Sequence, residues 1–315
     1  MSRDFPSGTW AVILGGSSGF GLATASVLAD HGVNLCVVHR DRRAALRQVE
    51  PEFEKIRGAG VELRTWNVDA TDPDKRTGIL DEMRELLGSD GRVRVLLHSI
   101  AFGNLKLLAP EKTEPRTAGA ALAAALGVDP AELERAADEL FAQGEDGLHP
   151  LTRAPEYPSR SYLDEDDFAR TILSMGTSLL GWTQGLFQRE LFADDARVFG
   201  LTSEGNEVAW RGYAAVSAAK VSLETLARSI AVEFGPHGIR CNVIQAGVTE
   251  TPALAAIPGS AHLKAQARLR NPLRRLTTPR DVANVIHLLS LDEAGWINGE
   301  VIRVDGGEHI SGVTR

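Results

Sequence analysis

The chain has 315 residues, of which 43% are hydrophobic, and a formal net charge of −8. This length suits one large α/β domain or two small ones, and the hydrophobic content excludes a chain that is disordered throughout. The negative charge argues against general nucleic-acid binding. No apolar run is long enough to span a bilayer and no secretory signal is visible, so we expect a cytoplasmic protein. The two cysteines, Cys36 and Cys241, fall in predicted strands and are expected to be buried thiols.

Residues 10–14 (WAVIL) predict a short buried strand, followed by GGSSGFG and by an apolar-periodic helix that ends at Gly32. Glycines at this place let the backbone approach a pyrophosphate, and the amino terminus of the helix favours the anion. The alternative is a simple tight turn. The pattern favours a dinucleotide site, and its candidate residues are Gly15, Ser17, Ser18, Gly19, Phe20 and Gly21.

The second predicted strand, residues 33–39, ends in His39, Arg40 and Asp41. The end of this strand is where dinucleotide-binding folds contact the adenosine ribose. An acidic residue there accepts from the 2′-hydroxyl of NADH, whereas an arginine suits the 2′-phosphate of NADPH. Arg40 favours NADPH, and the neighbouring Asp41 leaves NADH open. A solvated basic helix start is the alternative.

A serine, a tyrosine and a lysine lie at related spacings within residues 201–230. Tyr213 and Lys220 are seven residues apart, so on one helix they would leave the same face. Ser203 follows a predicted strand over residues 197–202. A tyrosine supplies an acidic hydroxyl, and a nearby ammonium lowers its pKa and can hold a cofactor sugar. The alternative is that Tyr213 is an ordinary aromatic residue at a helix start.

This arrangement resembles the short-chain dehydrogenase/reductase superfamily. The spacing of Gly15, Gly19 and Gly21, G-x3-G-x-G, is the one typical of that superfamily. Most members place the tyrosine four residues before the lysine, where this chain has Val216. The Y-x6-K spacing is similar to that of the enoyl-acyl-carrier-protein reductases, and the segment HSIAF at residues 98–102 resembles them independently.

The resemblance implies the fold and further contacts. It predicts a single doubly wound (Rossmann-type) α/β domain over residues 1–315, with a parallel sheet and a helical insertion after the fourth strand. It gives His98 a structural role rather than a proton-transfer role. Ser203 departs from many enoyl reductases, which have an aromatic residue there. The implied cofactor contacts beyond the glycine turn and Arg40 are Asn67, Val68, Ser99, Ile100, Lys220, Gly247, Val248 and Thr251.

The insertion, at about residues 104–165, is much longer than the segment that the family usually has between the fourth strand and the next long helix. TAGAALAAALG predicts one helix, and Asp129-Pro130 begins another with a cap and a proline at its first position. The insertion leaves the sheet where the active-site cleft opens. We therefore weigh two interpretations, a surface decoration and a substrate lid.

The segment between Thr251 and Arg280 contains no acidic residue, and it includes the expected substrate loop and helix over residues 253–271. This segregation of charge suits the docking of an acidic carrier protein or of a CoA phosphate. The alternative is a basic face that balances acids elsewhere. The basic residues are Lys264, Arg268, Arg270, Arg274, Arg275 and Arg280.

These observations predict an NADPH-dependent reductase of the 2,3-double bond of an enoyl thioester, carried on acyl carrier protein or CoA, in fatty-acid or polyketide-type metabolism. Tyr213 would donate a hydrogen bond to the thioester oxygen as enolate charge develops, and Lys220 would bind the nicotinamide ribose. Ser203 keeps a carbonyl (3-ketoacyl-type) reductase open, and a catalytically idle NADP-binding regulator is a further alternative. No metal, nucleic-acid or membrane partner is expected, and the resemblance implies a homotetramer.

Overall fold

The computed structural model describes residues 4–110, 117–157 and 161–312. Seven strands form one sheet in the order β3-β2-β1-β4-β5-β6-β7, and every neighbouring pair is parallel. This order is that of a doubly wound fold, in which ligands bind beyond the carboxyl ends of the strands. The strands are β1 (Thr9–Leu14), β2 (Asn34–His39), β3 (Leu63–Asn67), β4 (Arg92–His98), β5 (Phe192–Ser203), β6 (Ile239–Ala246) and β7 (Val301–Val304).

Helices cover both faces of the sheet, which explains why the central strands are almost continuously apolar. The helices are α1 (Gly19–Asp30), α2 (Arg43–Gly58), α3 (Pro73–Leu87), α4 (Thr117–Leu126), α5 (Pro130–Ala142), α6 (Glu165–Ile172), α7 (Ser178–Gln188), α8 (Ala214–Glu233), α9 (Pro252–Ala255), α10 (Ser260–Arg270) and α11 (Pro279–Ser290). Side chains of α3, α7 and α8 form one buried cluster, and those of α1, α2 and α11 form the other. In β1, Val12 belongs to the first cluster and Ile13 to the second, as the alternation of strand side chains requires.

The predicted fold class is confirmed, and both cysteines are buried in strands as expected. In the part of the chain that the structure describes, none of the helices combines the length and apolarity that crossing a bilayer would need.

The long helix expected after the insertion is present as one unbroken helical stretch made of α6, a π-helical turn and α7. It begins at Glu165, because the Asp164 carboxylate accepts a hydrogen bond from the Asp167 N–H at 2.8 Å and caps α6. Between α6 and α7 the chain makes a π-helical turn, Leu173–Thr177. This turn packs closely on α8, since a Cβ added to Gly176 would lie 2.7 Å from the Ala219 carbonyl oxygen.

The insertion contains the two predicted helices, α4 and α5. The Asp129 carboxylate accepts from the Ala131 N–H at 3.0 Å, as the sequence of this helix start predicts. Among the described side chains of the two helices, the buried ones are small, Ala123 and Ala137, while Leu140 is exposed. Residues 111–116 and 158–160 of the insertion lie outside the described residues.

Substitution of Gly21 tests the packing that forms the glycine turn. A Cβ at this buried position would overlap the Gly15 carbonyl oxygen, which belongs to the backbone and cannot move aside cheaply. Gly21→Ala is therefore expected to lower the free energy of unfolding by about 1–3 kcal/mol, the usual cost of overpacking. The matched control is Gly78→Ala in α3, where no atom lies within 4 Å and a gain of about 0.5–1 kcal/mol is expected. Urea unfolding measures both, and a Gly21→Ala protein as stable as wild type would contradict the close packing.

Candidate functional site

The glycine turn lies at the carboxyl end of β1, where the dinucleotide site was predicted. Gly15 has φ +82°, and a Cβ added to it would lie 2.6 Å from the Ser99 carbonyl oxygen. Gly19 begins α1, and its added Cβ would lie 3.3 Å from Cγ2 of Thr251. The fold therefore brings the turn, the HSIAF segment and Thr251 together. The absence of side chains along this path leaves the backbone open to a pyrophosphate at the start of α1.

The other residues of the turn differ in their surroundings. Ser18 is the exposed N-cap of α1, and its side chain makes no capping hydrogen bond. Phe20 packs against the buried cluster of α1, α2 and α11, so its side chain serves the core. Ser17 is partly buried.

Arg40 lies just beyond β2, as predicted, with about half of its side chain exposed. Its guanidinium donates to the Asp69 carboxylate at 2.7 Å and lies 4.1 Å from the centre of the Phe102 ring. Asp41, the acid that left NADH open, is held by the buried His39, whose Nδ1 is 2.7 Å from Oδ2 of Asp41. Of the two charged residues that follow β2, Arg40 is thus the more exposed, and it is paired with Asp69.

Asn67 braces the same edge of the sheet. Its amide oxygen accepts from the Asp41 N–H at 2.8 Å, and its amide nitrogen donates to the Asp41 carbonyl oxygen at 3.0 Å. Val68 follows and packs partly against the core, with its N–H donated to the His39 carbonyl oxygen at 2.8 Å. Both residues lie where the adenine was expected, and both hold the end of β2 in place.

Ser203, Tyr213 and Lys220 meet at the carboxyl end of β5. The hydroxyls of Ser203 and Tyr213 are 3.1 Å apart. The Lys220 ammonium donates to the Leu201 carbonyl oxygen at 2.8 Å. Tyr213 and Lys220 are buried, and the two groups that hold their polar ends come from residues two apart on one strand.

The expectation that Tyr213 and Lys220 leave the same face of one helix is wrong in one respect. Tyr213 is the N-cap of α8, with φ −107° and ψ 1°, and the helix begins at Ala214. The cap conformation, rather than a helical turn, directs the tyrosine toward Ser203. Val216, at the position where most of the superfamily has its tyrosine, is buried in an apolar cluster with Met175 and Ala219.

Burial sets the protonation of this site. It lowers the pKa of Lys220 to about 8, against a smaller opposing effect of the Glu224 carboxylate. It raises the pKa of Tyr213, and the hydrogen bond with Ser203 opposes this, so the expectation that the Lys220 ammonium lowers the pKa of the tyrosine is wrong. At neutral pH the lysine is therefore charged and the tyrosine keeps its proton, so both act as hydrogen-bond donors.

His98 is buried at the end of β4, with Nε2 2.8 Å from the Ser178 hydroxyl oxygen. Burial and the nearby Lys220 lower the pKa of His98 to about 3, so its ring is neutral. This environment agrees with a structural role. Ser99 and Ile100 follow directly, and Ile100 packs partly against the core.

The segment after β6 contains the last predicted contacts. Thr251 caps α9 by accepting from the Leu254 N–H at 3.2 Å. A Cβ on Gly247 would lie 2.5 Å from the Thr277 hydroxyl oxygen. The Val248 N–H is donated to the carboxylate of Glu308 at 3.3 Å, so this amide already has a partner within the protein.

Two acidic residues near the site, Glu204 and Glu308, were missed by the sequence analysis, and both pair with Arg270 of the basic segment. The Arg270 guanidinium donates to both carboxylate oxygens of Glu204, at 2.7 and 2.6 Å, and to Glu308 at 3.2 Å. Burial raises the pKa of Glu308, and Arg270 opposes this. Because the three residues lie far apart in sequence and match no local motif, no signal in the sequence pairs them.

One group of possible metal ligands occurs among the described residues. The ligand atoms of Asp4, His31 and His287 lie within 4.8 Å of one another. The rings of His31 and His287 stack at 3.8 Å, and both bond to the Asp4 carboxylate. Since these hydrogen bonds account for the cluster and it lies at the opposite end of the sheet from Tyr213, it has no part in the site.

Comparison with known proteins identifies the superfamily of this chain. A family model described as "Enoyl-(Acyl carrier protein) reductase" matches residues 151–309, just over half of the chain, and one described as "short chain dehydrogenase" matches residues 9–113. The chain belongs to the short-chain dehydrogenase/reductase superfamily. It is an oxidoreductase that uses a nicotinamide cofactor, and the glycine cradle fits one.

Relatives within this superfamily differ in what they are named for. The cis-4-hydroxycyclohexanecarboxylate dehydrogenase of Sinomonas cyclohexanicum is 26% identical over 94% of this chain and 95% of its own length. The enoyl-[acyl-carrier-protein] reductase [NADH] FabI of Salmonella typhimurium is 32% identical over 54% of this chain and 62% of its own. The solved structure of FabI from Candidatus Liberibacter asiaticus has a TM-score of 0.73 at 19% identity and covers 100% of both chains. That likeness shows the fold.

The buried lysine predicts a pH dependence of stability for this oxidoreductase. The pKa of Lys220 is about 8 when folded, against an ordinary value of 10.5 for a lysine in water. Across this window the unfolded chain binds a proton that the folded chain has released, so the free energy of unfolding rises with pH. Relative to Lys220→Met, the wild-type value should rise between pH 8 and 10.5 by on the order of 3 kcal/mol, at about 1.4 kcal/mol for each pKa unit. Urea unfolding at several pH values measures this difference, and a flat difference would contradict the burial.

Proposed function

We propose that this oxidoreductase reduces the 2,3-double bond of an enoyl thioester with NADPH. The observation that carries the proposal is the position of the Tyr213 hydroxyl, buried at the N-cap of α8 and one turn farther from Lys220 than in most of the superfamily. The nearer position, residue 216, is an apolar valine that cannot donate. A donor displaced in this way suits an oxygen that is two atoms removed from the carbon that accepts hydride.

Tyr213 supplies the hydrogen bond to the developing enolate. Its hydroxyl keeps its proton at neutral pH, because burial raises its pKa. A hydrogen bond in a buried site is stronger than in water, and it acts where negative charge appears on the thioester oxygen. The tyrosine therefore stabilises the transition state more than the bound substrate.

Lys220 holds the cofactor sugar. Its ammonium has three N–H groups, and the Leu201 carbonyl accepts one of them. The other two are available to ribose hydroxyls. A nicotinamide cofactor supplies the hydride when it is bound. The residues proposed to bind it are those of the glycine turn together with Asn67, Val68, Ser99, Ile100, Gly247, Val248 and Thr251.

The proposal of NADPH over NADH rests on the end of β2. Both charged groups have a partner, Asp41 with His39 and Arg40 with Asp69, but the Asp41 side chain is 17% exposed and the Arg40 side chain 48%, so the guanidinium is the more accessible of the two. An exposed guanidinium can bind a 2′-phosphate through two parallel hydrogen bonds. The FabI relatives are named for NADH, and Arg40 is the reason for proposing NADPH for this protein.

A carbonyl reductase is the second candidate, and the Ser203 hydroxyl favours it. Its distance of 3.1 Å from the Tyr213 hydroxyl lets the two groups bind one carbonyl oxygen together. The relative that matches almost the whole chain is named as a dehydrogenase of a hydroxy acid. Ketone reduction would use both hydroxyls on the oxygen attached to the hydride-accepting carbon.

Two substitutions at this hydroxyl pair separate the candidates. Tyr213→Phe removes only the hydrogen bond to the developing charge, so kcat with crotonyl-CoA and NADPH should fall about 10²–10³-fold. The affinity for NADPH should stay nearly unchanged. Ser203→Ala should lower the same kcat by less than tenfold, roughly the cost of a neutral hydrogen bond, because the enolate oxygen is bound by the tyrosine. Steady-state kinetics and nucleotide fluorescence titration measure these quantities.

Acetoacetyl-CoA is the matched substrate for both variants. The contrary outcome is a wild type that turns over acetoacetyl-CoA but not crotonyl-CoA, with Ser203→Ala lowering kcat as much as Tyr213→Phe. That result would replace the proposal of an enoyl reductase with that of a carbonyl reductase. Normal turnover of crotonyl-CoA by Tyr213→Phe would remove the tyrosine from the mechanism.

Arg40→Ala tests the cofactor preference. The KM for NADPH should rise at least tenfold, since a charge-assisted contact to the 2′-phosphate is lost, while the KM for NADH should change little. Arg64→Ala is the matched control, because Arg64 also lies over an aromatic ring, that of Trp66, but on β3. Equal effects of Arg40→Ala on both cofactors would make Arg40 structural, and a wild-type preference for NADH would remove the assignment.

A further inference from the structure

The insertion joins the sheet through a narrow neck. The Leu163 N–H donates to the Leu107 carbonyl oxygen at 2.9 Å. The Lys106 ammonium pairs beside it with the Asp167 carboxylate. The chain therefore leaves the carboxyl end of the sheet after Leu107 and rejoins it at Leu163. What the insertion contacts beyond this neck decides whether it is a decoration.

An ion pair joins the insertion to α10, the helix of the expected substrate segment. The Arg268 guanidinium donates to both oxygens of the Asp146 carboxylate, each at 2.6 Å. The Asp146 side chain is only 14% exposed. This two-point, largely desolvated geometry is the strong form of an arginine–carboxylate contact. An ion pair exposed to solvent in the ordinary way would stabilise the structure much less.

A second contact lies one and a half turns earlier on α10. The Thr152 hydroxyl donates to the His149 carbonyl oxygen at 2.9 Å, so its oxygen accepts from Nε2–H of His262 at 2.8 Å. Thr152 is 1% exposed. The Phe141 ring lies 5.2 Å from the His262 ring. Close to the start of α10, a Cβ added to Gly259 would lie 2.7 Å from Cγ of Pro155. The insertion thus contacts α10 along most of its length.

The far end of α10 is fixed to the reaction centre. Arg270 bonds to both oxygens of Glu204, the residue that follows Ser203, and to Glu308. On the inner side, Ile257 of the α9–α10 connection and Trp210 each pack against the buried cluster that contains Tyr213, and we call these two side chains the wall. The insertion contacts α10 from outside and so supports the Ile257 side of this wall.

We propose that the insertion holds α10 in a fixed position without ligand, and that Asp146 and Arg268 are positioning residues that limit the acyl group to a short chain. The part about chain length rests on the proposed function, that is, on an acyl thioester as substrate. Ile257 and Trp210 bound the side of the Tyr213 cluster on which α10 lies, so the position of α10 sets the space available to an acyl chain there. Loosening of α10 enlarges that space.

Hydrogen exchange of the α10 amides tests the fixed position without any substrate. In the wild-type protein, free of cofactor, these amides should be protected. Asp146→Asn and Arg268→Gln should each speed their exchange by about 10- to 100-fold, the range that corresponds to loss of a charged hydrogen bond. The swapped pair, Asp146→Arg with Arg268→Asp, should restore protection. Arg153→Gln is the matched control, because Arg153 pairs with Glu134 inside the insertion.

Chain length is tested on whichever thioester the wild type turns over, enoyl or 3-ketoacyl. The ratio of kcat/KM for a four-carbon chain to that for a twelve-carbon chain should fall at least tenfold in Asp146→Asn and should not change in Arg153→Gln. Unchanged affinity for NADPH shows that the variants are folded. Exchange of α10 that is already fast in wild type, or unchanged in both variants, overturns the proposal, and an unchanged ratio overturns its part on chain length. Altered exchange in a protein that reduces only ketones supports the fixed helix and refutes the enoyl reductase.

Discussion

The site depends on two polar groups buried at the carboxyl end of β5. The Lys220 ammonium is held by the Leu201 carbonyl oxygen, and the Tyr213 hydroxyl is held by Ser203. Burial of a cation or a hydroxyl costs free energy unless each is hydrogen-bonded. One strand, β5, supplies both partners. It lies between β4, which leads into Ser99 beside the glycine turn, and β6, which leads into the segment that contains Thr251. The position of β5 in the sheet therefore fixes the reacting groups relative to the cofactor.

Both candidate reactions use this same pair of hydroxyls, and they differ in where the oxygen of the substrate must lie. In a ketone the oxygen is attached to the carbon that accepts hydride, whereas in an enoyl thioester two further carbon atoms separate the oxygen from that carbon. Val216 fills the place where a nearer hydroxyl would stand and packs with Met175 and Ala219. The apolar packing of α8 against the π-helical turn thus favours the more distant oxygen, while Ser203 leaves ketone reduction chemically possible.

Most basic residues of the segment after Thr251 form ion pairs within the protein. Five of its cations pair with acids from other parts of the chain: Lys264 with Glu250, Arg268 with Asp146, Arg270 with Glu204 and Glu308, Arg275 with Asp281 and Arg280 with Asp30. This pairing favours the interpretation that the cations balance acids over that of an open docking surface. That the acyl group is carried on acyl carrier protein or CoA remains a prediction. The Asp146–Arg268 pair gives the segment a different role, because this pair holds α10 in place.

The sequence by itself determined the glycine turn and the set of Ser203, Tyr213 and Lys220, because glycine spacing and residue order are local properties of a chain, and the resemblance that these residues carry implied the parallel sheet. The sequence also predicted the cap of α5 at Asp129, since a cap forms within a few residues. The tertiary structure alone decided that Tyr213 caps α8, that Asp41 is engaged by His39 while Arg40 stays accessible, and that Asp146 binds Arg268. The first depends on how α8 docks against β5. The second depends on which neighbouring side chains are buried at the end of β2. The third has no local signature, because the two residues lie 122 positions apart and many acids could reach the same arginine.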